Sequence, residues 1–212
     1  SWTTSTLTGS SLQGAVFDNA TVDDLTVTFA PAQGASFRNA SLTRLQMPYA
    51  NLAGASFNGA SLTGTSLNYA FAVGTDFSST TWVDSSLDHA QAYSDGAQVT
   101  RFDGCTVASG SFANSLFMQS SFDTCRFQGG GFSNSIFAAA SFAHVTSSGD
   151  ATNALWSMAN TVLSGANFTG ANLDVGDLTN AIVSTAPGSK DITIRISPYV
   201  SSTTPGQSVV RT

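Results

Sequence analysis

Apolar residues recur at every fifth position of this chain. Leu7, Leu12, Phe17, Val22, Val27, Ala32, Phe37 and Leu42 open a run that continues unbroken to Phe142, 28 positions in all, every one apolar. At a hydrophobic content of 42%, chance produces such a run with a probability on the order of 10⁻¹¹. Two residues before nearly every member stands a small side chain, as at Ala15, Ala20, Ala30, Ala35 and Ala40. Two residues after, turn formers are common: Gly9, Gly14, Gly34 and Gly54, with Asn19 and Asn39 between. A period of five belongs to neither a strand nor a helix. One large inward residue, one small one and a turn former instead describe one side of a square coil.

The stretches ANLAGASFNGASLTG at 50–64 and GANFTGANLDVGDLTNA at 165–181 resemble the pentapeptide-repeat family, whose consensus is A(N/D)LXX. The resemblance covers about residues 5–183. It implies an all-β fold, a right-handed quadrilateral parallel β-helix with four pentapeptides per coil, here about eight to nine coils. Residues 20 apart then stack at the spacing of neighbouring strands, about 4.8 Å. On that geometry one wall reads Phe17, Phe37, Phe57, Phe77, Ala97, Phe117, Phe137, and another Val22, Leu42, Leu62, Trp82, Phe102, Phe122, Phe142.

The phase of the repeat slips by one residue between Phe142 and Met158, which predicts an irregular loop near 143–157 within a solenoid spanning 1–183. Beyond Val183 the repeat stops. Residues 184–212 read as a C-terminal strand and linker, with Ile192, Ile194 and Ile196 alternating against polar neighbours. Because a solenoid end exposes apolar rungs and unpaired backbone, this strand is expected either to cap the rod or to pair with another chain. Trp2 is the one lid candidate at the other end.

Composition narrows the function. Charged residues make up 9%, all 13 acids are Asp, and the formal net charge is −6, which excludes nucleic-acid binding by phosphate neutralisation. No apolar run is long enough for a membrane-spanning helix, and no charged-then-apolar leader opens the chain. A Ser/Thr/Asn-rich surface with a single lysine, Lys190, favours an extracellular, cell-surface or virion setting over a cytoplasmic one. Cys105 and Cys125 fall 20 apart in the small inward column, either as two buried thiols or as a disulfide. His89 and His144 are the only histidines, and no catalytic constellation, metal site or cofactor motif joins them. The chain is expected to be non-enzymatic. Asp95 falls in the inward small column beside Ala97, which suggests a buried, satisfied carboxylate. Asp103 and Asp123 stack with Arg101 and Arg126 nearby, as solvated ion pairs.

Binding is expected on the outward columns. One corner column reads Gly9, Phe29, Tyr49, Tyr69, His89, Ser109, four aromatic rings on consecutive coils. Phe71 and Tyr93 lie near it, and Leu116, Met118 and Ile136 form a second outward apolar group. Such a strip suits a protein partner, self-association or a glycan. The leading expectation is therefore a rigid binding or structural scaffold. The alternative comes from the resemblance, since the family includes DNA-mimicking gyrase protectors that give drug resistance. Against it, the carboxylates here are scattered and Glu is absent. A third expectation, an ice-binding face, rests on Thr21, Ser41, Ser61, Thr81, Arg101 and Ser121.

Overall fold

The computed structural model describes residues 2–7, 9–147, 157–175, 178–182 and 193–196. Within them the chain winds as a parallel β-solenoid without helices, so no helix crosses a membrane. Ten short strands stack in chain order into one sheet: β1 Trp2–Thr6, β2 Thr21–Thr26, β3 Ser41–Thr43, β4 Ser61–Thr63, β5 Thr81–Val83, β6 Thr106–Ser111, β7 Arg126–Gly131, β8 Thr146–Ser147, β9 Asn172–Val175 and β10 Thr193–Ile196. Isolated parallel bridges build the other walls. Each coil hydrogen-bonds to the next through backbone pairs such as Phe37 N to Ser56 O at 2.7 Å.

Four walls follow one another around the rod, centred on Phe17, Val22, Val27 and Ala32 in the second coil. Neighbouring coils pair 20 residues apart from Val16↔Ser36 to Phe71↔Gln91, but Asp76 pairs with Arg101, 25 away. One whole pentapeptide, residues 95–99, has been inserted. A second insertion falls between Ser147 and Ser157, where the spacing rises to 26. It is a net six residues, which accounts for the one-residue slip in phase.

The first insertion corrects the expected columns beyond residue 92. Ala97 does not interrupt the first wall: it lies exposed in the inserted segment. Phe77 stacks on Phe102 instead, completing an unbroken ladder of Phe17, Phe37, Phe57, Phe77, Phe102, Phe122, Phe142 and Phe168, with ring centroids 4.4–5.1 Å apart. Trp82 accordingly pairs with Val107, not Phe102. Asp95 is exposed rather than buried. Its carboxylate accepts from the N–H groups of Ala97 at 2.9 Å and Gln98 at 2.8 Å, and these bonds, Gln98 first, hold its pKa below the usual carboxylate value. The Thr column of the second wall continues to Thr106 and Arg126, not to Arg101 and Ser121.

Buried hydroxyls in the small column are satisfied by a repeated device. Ser135 donates to Phe112 O at 2.9 Å, Thr65 to Leu42 O at 3.0 Å and Thr75 to Leu52 O at 2.8 Å, each 23 residues back. The hydroxyls of Thr80 and Thr161 turn to the carbonyl three residues back in their own coil, whereas each of the first three meets a carbonyl of the coil below. Cys125 does the same with Phe102 O at 2.8 Å, and receives the Cys105 thiol at 2.7 Å. Both cysteines are free and buried. Burial foremost pushes the Cys125 thiol well above its ordinary pKa.

Candidate interaction surface

The corner between the third and fourth walls carries the aromatic residues. Phe29, Tyr49, Tyr69 and His89 stack at 4.8, 4.7 and 4.6 Å between centroids, with interplanar angles of 11°, 13° and 4°. All four occupy the left-handed backbone region at φ 57–62°. That conformation suits Gly and Asn and strains bulky side chains. Among the described residues, 19 non-glycine residues have positive φ, and Phe29, Tyr49 and Tyr69 are the only Phe or Tyr of these.

The column beyond His89 is not Ser109, which turns the corner after Val107 on the second wall. With the inserted pentapeptide taken into account, it continues through Asn114, Asn134, Asn160 and Asn180, all at φ 55–61°. The Asn160 amide donates to Asn134 Oδ1, and the Asn180 amide to Asn160 Oδ1, both at 3.0 Å. One corner therefore presents a stack of rings over its first part and a ladder of amides over the rest.

Stacking decides what the rings offer. The two faces of Tyr49 and Tyr69 are covered by their neighbours, so edges and hydroxyls point outward. Exposure is 65% at Phe29, 49% at Tyr49 and 47% at Tyr69. Phe71 lies just round the corner on the outside of the fourth wall, in a T-shaped contact with Tyr93 at 6.5 Å. The expected residues Phe29, Tyr49, Tyr69, Phe71, His89 and Tyr93 thus form two adjoining groups.

The outward apolar group is larger than its sequence signal suggested. Bridges run Phe71↔Gln91↔Leu116↔Ile136↔Val162↔Ile182, so Leu116 and Ile136 line up with Phe71 along the fourth wall, joined by two residues from beyond the second insertion. Sequence reading missed this line because both insertions change the spacing along it. The inserted segment sits at the far edge of the same wall. Its neck is closed by Thr100 N to Ser94 Oγ at 3.1 Å and by the Thr100 hydroxyl to Tyr93 O at 2.7 Å. Gln98 lies over the corner at Gly74, where a side chain would meet its Cβ at 2.6 Å.

The remaining candidates take other positions. Asp103 and Asp123 form no ion pair with Arg101 or Arg126 among the described residues. Asp103 accepts from the Ser121 hydroxyl at 2.5 Å and from Asp123 N at 3.1 Å, and Asp123 accepts from the Ser141 hydroxyl and from Ala143 N. Asp18 and Asp88 bracket the next coil in the same way. These carboxylates serve neighbouring coils because a hydroxyl and an N–H converge on each. His89 belongs to the ring stack, and His144 turns the corner between the first and second walls, beside Gly170. Among the described residues no group of His, Cys or Asp side chains could hold a metal ion. Of the tail residues, Ile192 lies outside the described residues, while the backbone of Ile194 and Ile196 in β10 pairs in parallel with Leu173 and Val175 of β9.

The comparisons agree with this architecture. The family model for pentapeptide repeats matches eight copies, over residues 28–59, 46–81 and 157–184. This chain belongs to the pentapeptide-repeat proteins. Among solved structures it is similar in fold to HetL, a pentapeptide-repeat protein involved in heterocyst differentiation regulation from the cyanobacterium Nostoc. That match has a TM-score of 0.54 and 17% identity over 85% of this chain and 84% of HetL. A trypsin-treated form of QnrB1, a plasmid-mediated fluoroquinolone resistance protein, aligns with a TM-score of 0.39 and 13% identity over 85% of this chain and 88% of that one. No curated protein sequence matches the chain.

Proposed function

We propose that this protein is a non-enzymatic binding scaffold, a rigid rod whose aromatic corner docks a protein partner. The observation that carries the reading is the placement of Phe29, Tyr49, Tyr69 and His89 in left-handed backbone. Such placement costs roughly 1 kcal/mol or more per residue. The three stacked pairs offset part of this at about 0.5–1.5 kcal/mol each. The same corner is turned by Asn at four other levels, without strain and with hydrogen bonds between the amides. Rings are therefore not what the fold needs there. Exposed, pre-ordered Tyr edges are what a protein interface uses. A sugar would need open ring faces, and the inner rings have none to give.

The test replaces Tyr49 and Tyr69 together with Asn. Peptides selected from a displayed random library against the native protein serve as the probe. We expect binding to fall at least tenfold while the melting temperature holds or rises. Unchanged binding with a clear drop in melting temperature would make the rings a structural ladder and nothing more.

A second reading, a DNA-mimicking gyrase protector, is supported by the net charge of −6. Weighing against it, Asp18, Asp88, Asp103 and Asp123 are tied to neighbouring coils. Protection of purified gyrase in a supercoiling assay, lost on Asp→Asn substitution, would favour this reading over the first. We also propose that β10 closes the C-terminal end of the sheet. Ile194→Pro, which removes one of its N–H groups, is then expected to lower the melting temperature without affecting peptide binding.

A further inference from the structure

Three walls of the rod carry charge on their outer surface. The first has Asp18, Arg38 and Asp76, the second Asp23 and Arg126, and the third Asp88. Among the described residues the fourth wall carries one exposed charge, Asp95 of the inserted segment at its edge, and none along its middle. Its exterior carries a line of Phe71, Gln91, Leu116, Ile136, Val162 and Ile182, with Tyr93 and Met118 alongside. Ile182 is 57% exposed and Phe71 36%.

We infer that this wall is a self-association face, on which a second copy of this chain packs with the same wall. The inference rests on the reading above, in which this side of the rod makes the protein contacts, and it names one partner. Two arguments select a second copy. The first is electrostatic. Two chains of net charge −6 repel one another, and bringing any of the other walls together would desolvate carboxylates or guanidinium groups. On the fourth wall the one charge, Asp95, stands on the inserted segment at the edge, so like can meet like along the apolar line without that cost.

The second argument is area. Seven steps separate Pro31 from Ile182 along the bridges, a length of about 34 Å at the spacing of neighbouring strands, and five residues of extended chain make the wall about 16 Å wide. The projected area is roughly 550 Å² per partner, at the low end for a specific contact and in keeping with a weak, reversible dimer. An end-on contact would offer about half the projected area, roughly 16 Å by 16 Å. A largely apolar sheet face also suits a two-fold contact, with the sheets about 10 Å apart.

Sedimentation equilibrium of the full chain tests the inference. The native protein is expected to be a dimer in reversible equilibrium. Ile136→Lys and Val162→Lys should each raise the dissociation constant about 100-fold or more, as for a charge placed at an interface centre. Ser61→Lys on the second wall, where the side chain is exposed, should leave it unchanged, and all three should keep the native melting profile. If the Lys variants misfold, Ile136→Gln takes their place. Gln91→Cys supplies an independent check: a short bis-maleimide should link two copies through it, since both native thiols are buried. A single-chain mass at every concentration would overturn the inference. So would a dimer that survives the fourth-wall variants, or one that Ser61→Lys dissolves. The Asn variants of Tyr49 and Tyr69 separate this inference from the reading beneath it. If they abolish peptide binding in a protein that is monomeric throughout, the aromatic corner keeps its role and only the choice of partner fails.

Discussion

Single residues in this rod are constrained less by their own chemistry than by the atom one coil away. Gly130 is the clearest case. It stands in the small inward column at φ 92°, and a Cβ there would run into the carbonyl of Gly110. Gly130→Ala is therefore expected to cost several kcal/mol, since backbone cannot yield as a flexible side chain would. Chemical denaturation would measure the loss. Cys125 gives the opposite outcome. Its thiol occupies the place that Ser135 fills one pentapeptide pair later, with the same carbonyl geometry. Cys125→Ser should fold, and the native thiols should react with a maleimide only as the protein unfolds. Both expectations follow from the five-residue pattern once its partner spacing is known.

Partner spacing is what the sequence showed incompletely at the scale of elements. The repeat itself, the parallel stacking and the inward column were legible because a period of five leaves each wall's large residue in phase. The pentapeptide 95–99 keeps that phase, so it went unseen, although Ala97 in a Phe wall and Asp95 in a small column were its traces. The six-residue insertion shifted the phase by one and was seen, though not its full size. The aromatic corner was legible up to His89 and misread beyond it for the same reason. Length arithmetic yields a test. Deleting residues 95–99 should leave a folded protein with Asp76 still beside Arg101, now 20 apart. Deleting 95–98 leaves one surplus residue at that corner, which the turn can absorb as the second insertion absorbs its sixth, so the inward columns should persist at a lower melting temperature than after the five-residue deletion.

The whole molecule is stabilised along its axis, coil on coil, and its acid response follows from the carboxylates that bracket coils. Asp18 accepts from the Ser36 hydroxyl and Arg38 N, and these contacts, the hydroxyl first, hold its pKa down. Asp95 is lowered by its own loop. A folded pKa below the unfolded one means stability that is present above the unfolded value, about 3.9, and lost as pH falls through the folded value. Calorimetry should therefore find a melting temperature that is level from neutral pH down to about 4 and falls below it. Asp18→Ala should flatten part of that fall.

The inserted pentapeptide leaves everything after it where it was. Residues 95–98 stand exposed off the rod, and Arg101 takes the place beside Asp76 that the next coil would have given it without them. Gln91 is likewise followed by Leu116 with the insert present, and would be without it. The net six residues after Ser147 are passed over in the same way, since Ile136 is still followed by Val162. A corner of such a rod is thus a place to hang new sequence, of five residues or six, while the outer lines keep their bearing from one end to the other.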